Sequence, residues 1–383
     1  MTGARVAGVA LLLVAACGGD SGPPSLSGLV SYEDRAQQSN GRLDTTVQLL
    51  PARGVSLSLI NDADGAVLTT VLTGDDGRYE IKFVEPLVEP EGPVHLLAAA
   101  MNDSPERPIQ VVRRNTQVHG FGGEAFMYDG ADVDLVITEA SGEAEAFDVF
   151  DMAVLSHDVV RTRLALDPAP ITLIWEKGST DGTYYSGDSR VHLLGSTNDD
   201  DGYDDTVILH EIGHFIEDTV GRSDSPGGGH NGAPTDPNLG WSEGFATYWA
   251  MSVEDKPFYG DSNAGGGFGY NSDTSVTRAQ AGGALGQDVS ENMVTEVLWD
   301  LGDGGDGDDD PFNGTQLPVQ QVQPMYLRTA ALRSAGEPGV DLVDFLDGFL
   351  QVDGLSHCAA VRQIVNTTHS FPYDYGGPAG PCP

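Results

Sequence analysis

Apolar positions along this chain follow two periods. From residue 26 to about 137 they alternate with polar ones in short runs broken by turn residues, the period-two pattern of half-buried strands. Val55, Leu57 and Leu59 alternate with Ser56 and Ser58 before a turn at 61–65. Residues 67–72 follow, then the turn Gly74-Asp75-Asp76-Gly77, then a run at 79–84. Further strands are expected at 94–100, 109–112 and 132–137. Near residue 140 the period changes. Behind Ser141-Gly142-Glu143, the residues Phe147, Phe150, Val154 and Leu155 fall at helical spacing. Strands are expected at 171–175 and 191–194, with 190–194 a candidate edge for an extended peptide. A helix should then start at Asp204 or Asp205, whose carboxylate can cap the free amides, and stop at Val220-Gly221. Its stripe is Ile208, Ile212, Phe215 and Thr219, widened by Leu209 and Ile216. Later helices are expected from 240 to about 253, after the capping-box spacing of Asp288-Val289-Ser290-Glu291, and at 325–335, 340–350 and 358–366.

The helix that starts at 204 or 205 carries His210-Glu211-Ile212-Gly213-His214. Two imidazoles four residues apart leave one helix face close enough to hold one metal ion, and the adjacent carboxylate can act on water there. A buried His pair needs partners, and a metal is the natural one. Gly213 costs about 1 kcal/mol relative to Ala inside a helix; close packing near the site would explain it. Downstream, Gly240-Trp241-Ser242-Glu243-Gly244-Phe245-Ala246 resembles the ligand segment of gluzincins, the zinc proteases with a Glu third ligand, which include aminopeptidase N and fungalysin. That resemblance implies Zn2+ held by His210, His214 and Glu243 with a fourth position open, Glu211 as general base, and a peptide or protein substrate. It also implies an α+β, zincin-like, mostly helical domain. The chain departs from the pattern in three ways. The gap between His214 and Glu243 is long, its excess a Gly/Pro/Asn loop at 222–238. No Gly-x-Met-Glu-Asn segment precedes the motif, and no downstream histidine of the fungalysin or thermolysin kind is identifiable. His230 in the loop either orients substrate or an oxyanion, or is simply exposed. Tyr248, Tyr259, Tyr270 and Tyr326 are further oxyanion candidates, Thr247 could buttress a ligand His, and Glu291 either caps its helix or binds substrate.

Composition narrows the setting. The formal charge is −39 with a pI near 4.1, which excludes the basic patches that nucleic acid needs and fits an exported surface. Arg5 precedes the apolar run 6–16, too short to span a bilayer. It ends Val14-Ala15-Ala16-Cys17, which resembles the lipobox of bacterial lipoproteins; an ordinary secretory signal is the other reading. The lipobox implies a signal peptide at 1–16, lipid on Cys17, a tether to residue 25, and an outer-membrane or cell-surface location. With Cys17 lipidated, Cys358 and Cys382 remain and can form a disulfide; two free thiols are the alternative. The stretch at 54–83 resembles the carboxypeptidase-regulatory-like, transthyretin-type β-sandwich, which implies an all-β unit at 26–138 ahead of a metallopeptidase domain at 140–383. The acidic loop at 301–310 offers oxygen ligands suited to Ca2+, or is a solvated loop. Two rival functions stand beside the peptidase: a non-enzymatic surface-binding lipoprotein with a structural zinc, and a zinc hydrolase of a non-peptide bond.

Overall fold

Why the alternating runs become sheets is clearest in the first strand, Ser25–Asp34, whose inward residues Leu26, Val30 and Tyr32 are wholly buried. Its first half pairs antiparallel with Arg78–Lys82. Its second half lies between Gln48–Pro51, antiparallel, and Leu135–Ile137, parallel. A second sheet runs in the order Val67–Leu72, Ser56–Asn61, Val94–Ala99, Gly120–Gly122, every pair antiparallel, with Leu57, Leu59, Leu96 and Ala98 buried. The computed structural model describes residues 23–304, 312–330, 332 and 338–382. The apolar leader, Cys17 and positions 305–310 of the acidic loop lie outside the described residues. Among the described residues the β-rich region forms no closed barrel, and no helix is long and apolar enough to cross a membrane.

A third sheet joins strands from both sides of residue 138, in the order Tyr184–Tyr185, Arg190–His192, Ile171–Ile174, Ile109–Val112, Met101–Asn102. Its centre is parallel. The strand Ile109–Val112 lies between its sequence neighbour Met101–Asn102 and the distant Ile171–Ile174, and Ile109, Val111 and Val112 are all buried, a run suited to a strand covered on both faces. The expected edge at 190–194 is not an edge, since Tyr184–Tyr185 pairs with it.

The helix α1 (Ala144–Thr162) is buried along most of its length. It is followed by α2 (Asp205–Thr219), α3 (Pro237–Glu254) and α4 (Glu291–Asp300). Glycines allow these last three to meet. A Cβ on Gly213 of α2 would lie 2.8 Å from Ala246 Cα of α3, and one on Gly244 of α3 would lie 2.5 Å from Val294 Cβ of α4. Several expected boundaries shift for identifiable reasons. The Asp204 side chain does not cap α2; its oxygens take Gln37 Nε2 and the Ser262 amide and hydroxyl. Helix α3 starts before residue 240 because Asp236 caps the amides of Asn238 and Leu239, with Pro237 at the first turn. Helix α4 is capped by Ser290, so Asp288 and Glu291 form no box. The helix expected at 325–335 lies partly outside the described residues; those described there and just before it form α5 (Gln316–Val322) and a π-turn, Gln323–Leu327. Helix α6 (Leu342–Val352) does have a capping box, between Asp341 and Asp344. A disulfide joins Cys358 and Cys382, Cα atoms 5.7 Å apart, and closes the C-terminal segment.

Candidate metal centre

The centre is built where α2 and α3 touch through Gly213. His210 and His214 leave α2 one turn apart, and Glu243 faces them from α3. His210 Nε2 and His214 Nε2 each lie 3.2 Å from the same oxygen, Glu243 Oε2. These three donor atoms fit a divalent ion. Metal bonds of about 2.0–2.2 Å in a tetrahedron put neighbouring donors roughly 3.3 Å apart. The other ring nitrogens are held too. His210 Nδ1 lies 3.0 Å from Thr247 Oγ1, one turn along α3 from Glu243. His214 Nδ1 lies 3.2 Å from Ser242 Oγ, which donates at 2.6 Å to Glu217 Oε2. Since the Ser242 proton is spent on Glu217, the Ser242 oxygen accepts from His214 Nδ1–H, which leaves Nε2 as the ring atom that meets Glu243 Oε2. Sequence spacing did not single out Glu217, Ser242 or this relay. The signal available was a Glu one helical turn after His214 and a Ser beside Glu243.

Electrostatics follow from this packing. Burial alone would lower the His214 pKa, but the hydrogen bond and charge of Glu243 raise it to about 9. Burial would raise Glu243, yet the two imidazoles hold it well below the usual carboxylate range. The pair of imidazoles and the carboxylate thus favour shared positive charge at the point where their donor atoms converge. Glu217, fully buried, is pushed up to about 7 by burial, against the Ser242 bond and the His214 charge.

The loop at 222–238 returns to the centre. His230 Nε2 lies 3.3 Å from Glu243 Oε2, and His230 Nδ1 lies 2.7 Å from Glu291 Oε2 at the start of α4. Glu291 Oε1 accepts from Gly232 N at 2.7 Å, and Ser290 Oγ donates to Gly232 O. Thr235 and Val289 exchange backbone bonds at 2.9 Å. So Glu291 neither caps its helix nor stands free: it ties the loop to α4 and gives His230 an anionic partner, which raises the His230 pKa.

A cleft of about 900 Å³ opens over these groups. Glu211, His210, His214, His230, Glu243 and Tyr259 all line it. Glu211 is 8% exposed. The Tyr259 ring sits 5.6 Å from the His210 ring, and burial, with the Glu211 charge, pushes its hydroxyl well above the usual tyrosine pKa, so it stays a donor. The other tyrosine candidates do not line the cleft. Tyr248 OH is spent on Gln316 and Tyr270 OH on Glu296, while Tyr326 is buried in the π-turn after α5.

Compared with known proteins, residues 161–335 match the family model described as the mycolysin C-terminal domain. That span holds His210, Glu211, His214, His230 and Glu243. No curated protein matches. Among solved structures, a 9R-lipoxygenase from Cyanothece PCC8801 aligns at 12% identity over 38% of this chain and 25% of its own, with a TM-score of 0.18. This chain therefore spans a quarter of that protein, and so weak a likeness carries no argument about fold or chemistry.

Proposed function

We propose that this chain is a zinc metallopeptidase whose metal is held by His210, His214 and Glu243, with Glu211 as general base. The observation that carries the reading is the convergence of two imidazole Nε2 atoms, each 3.2 Å from one Glu243 oxygen, on a cleft lined by Glu211. The match over residues 161–335 supports a peptidase. Two nitrogens and one carboxylate oxygen suit zinc, and three protein ligands are what a catalytic zinc site uses. Zinc bound there supplies Lewis-acid polarisation of the scissile carbonyl and acidifies water.

The protein groups supply the rest. Glu211 takes a proton from the attacking water onto its carboxylate and delivers it to the leaving amine. Tyr259 OH and His230 are the neutral or cationic donors at the cleft wall, and they stabilise the oxyanion of the tetrahedral intermediate. Thr247, Ser242 and Glu217 fix the ring orientation of the two histidines. In this reading the β-rich region is a transthyretin-type sandwich that precedes a zincin-like catalytic domain, and Cys17 carries a lipid that anchors the enzyme at the outer membrane or cell surface.

The test combines metal analysis with digestion of an unbiased peptide mixture by the wild type and Glu211→Gln. One zinc in each protein, with cleavage by the wild type alone, is the expected result. The new termini then assign endo- or exopeptidase action. Zinc in both proteins and cleavage by neither would falsify the peptidase reading.

A further inference from the structure

The cleft contains a second group of ionisable side chains that the proposed chemistry does not use. Asp199 closes the small hairpin of Gly195–Ser196 and Asp199–Asp200, Asp201 opens the 3-10 turn Asp201–Tyr203, and Asp261 lies in the strand Phe258–Asn263. One carboxylate oxygen from each lies within 4.8 Å of the others. The two segments are fastened together beside them: Ala264 N donates to Asn198 O at 2.8 Å, and the Ser262 amide and hydroxyl donate to Asp204 at 3.0 Å.

The carboxylates are held in place, and two of their buried oxygens lack a donor. Asp201 is 3% exposed. Its Oδ2 accepts from the Thr183 hydroxyl and from Leu194 N. Asp199 Oδ1 and Asp261 Oδ1 are both shielded from solvent and have no donor. Such atoms cost free energy unless something satisfies them. The charges that act most strongly on Asp201 and Asp261 are other carboxylates, and these, after burial, push Asp201 up to about 7 and Asp261 to about 6. No Lys or Arg is among those charges. Three acids packed this way are relieved either by a proton or by a cation.

We propose that Asp199, Asp201 and Asp261 form a second metal site, separate from the His210–His214–Glu243 centre, that takes a hard divalent cation of the calcium class. The donors are all oxygens, which suits calcium and disfavours zinc. Calcium tolerates irregular geometry and six to eight ligands, so water from the open cleft completes its shell. The site lies at the root of the strand that carries Tyr259, whose ring packs against His210. The ion ties that strand to the hairpin at 195–200 and so stiffens one wall of the cleft. This site is not the acidic loop at 301–310, and it does not depend on the peptidase reading.

The test uses the full chain loaded with one zinc, as wild type and as the D199N/D261N double variant. Calcium chloride is titrated into each by calorimetry near pH 8, and thermal unfolding is followed with and without millimolar calcium. The wild type is expected to bind one calcium with a Kd of about 10⁻⁴–10⁻³ M, the range of extracellular calcium modules, and to melt higher with it. The double variant is expected to lose that binding more than tenfold. It should also melt higher than the wild type without calcium, because the mutual repulsion is gone. If the double variant does not fold, D261N alone serves for the same comparison. A wild type with no calcium heat and no shift in Tm overturns the proposal, as does an equal response from a folded variant. Zinc content, measured in parallel, is expected to be one per chain in all of these proteins, so loss of the second site is distinguishable from loss of the first.

Discussion

Each metal-facing histidine is oriented by a hydroxyl from α3, and the two hydroxyls do not contribute equally. Thr247 stands alone against His210, whereas Ser242 is one link in a relay from His214 to the buried Glu217. Ser242→Ala removes the acceptor from His214 Nδ1 and the donor from Glu217 Oε2, whose Oε1 already lacks a partner. Loss of such an orienting group costs about 10–100-fold in metal affinity. Ser242→Ala is therefore expected to lose zinc to a competing chelator at about 10–100-fold lower chelator concentration, and an unchanged competition curve would mean that the relay does not hold His214 for the metal. Tyr259→Phe tests a different role. It keeps the ring that packs on His210 and deletes only the donor, so kcat should fall by about 10²-fold, the cost of one oxyanion donor, with zinc content and KM little changed. A raised KM with kcat unchanged would mean that Tyr259 binds substrate and leaves the oxyanion to His230. At this scale the sequence is informative only where spacing encodes geometry. His210 and His214 share a helix, so their approach follows from the α-helical repeat. The meeting of His230 with Glu291, 61 residues apart, depends on how the loop at 222–238 folds back, and no local pattern encodes that.

Among the elements, α2 and α3 matter most, because the ligand set exists only at their contact. Their closest approach is Gly213 against Ala246, where a Cβ on Gly213 would also lie 3.0 Å from Ala246 O. The obstacle is backbone and cannot swing aside. Gly213→Ala gains about 1 kcal/mol of helix propensity but forces the helices apart, and overpacking of this kind costs about 1–3 kcal/mol. The net expectation is a lower Tm together with weaker zinc binding, since the two ligand-bearing helices separate. A variant with a raised Tm and intact zinc affinity would show that propensity outweighs packing here. The apolar stripe and the break after Thr219 make α2 legible in the sequence. The start of α3 is legible too, in Asp236-Pro237, a cap followed by a first-turn proline; a start at Gly240 follows only if the tryptophan segment is given more weight than that signal. The placement of Ile109–Val112 is not legible. Its apolar run says that both faces are covered, and does not say by which sheet.

At the scale of the whole molecule, the β-rich region and the helices meet over buried acid. Asp148 of α1 and Asp205 of α2 sit side by side, and Asp148 Oδ2 and Asp205 Oδ1 are shielded from solvent with no donor. One proton shared between the two carboxyls satisfies both oxygens. Tyr32 OH lies 3.2 Å from Asp148 Oδ1 and from Asp151 Oδ2, and Arg53 Nε pairs with Asp151 Oδ1 at 2.6 Å. Asp34 and Glu254 add negative charge, while Lys256 opposes it. Burial, then these neighbouring carboxylates, raise both members of the pair well above the usual carboxylate range. Burial, more than the charges of Asp201 and Asp261, raises nearby Asp204 to about 8. A folded-state pKa above the unfolded value means that the native state holds the extra proton, so this stability is present in acid and is lost as pH rises through the folded pKa. Every tenfold by which folding tightens the hold on such a proton is worth about 1.4 kcal/mol, enough to be seen in a melt. The Tm should therefore fall between about pH 5 and pH 9. Asp148→Asn separates this cause from general charge repulsion. The amide donates permanently to Asp205, so the variant should melt higher than the wild type at about pH 9 and vary less with pH, while a carboxylate-to-amide change on the solvent surface should leave the slope alone. Equal slopes in the wild type and Asp148→Asn would place the pH dependence elsewhere and leave the buried pair as packing only.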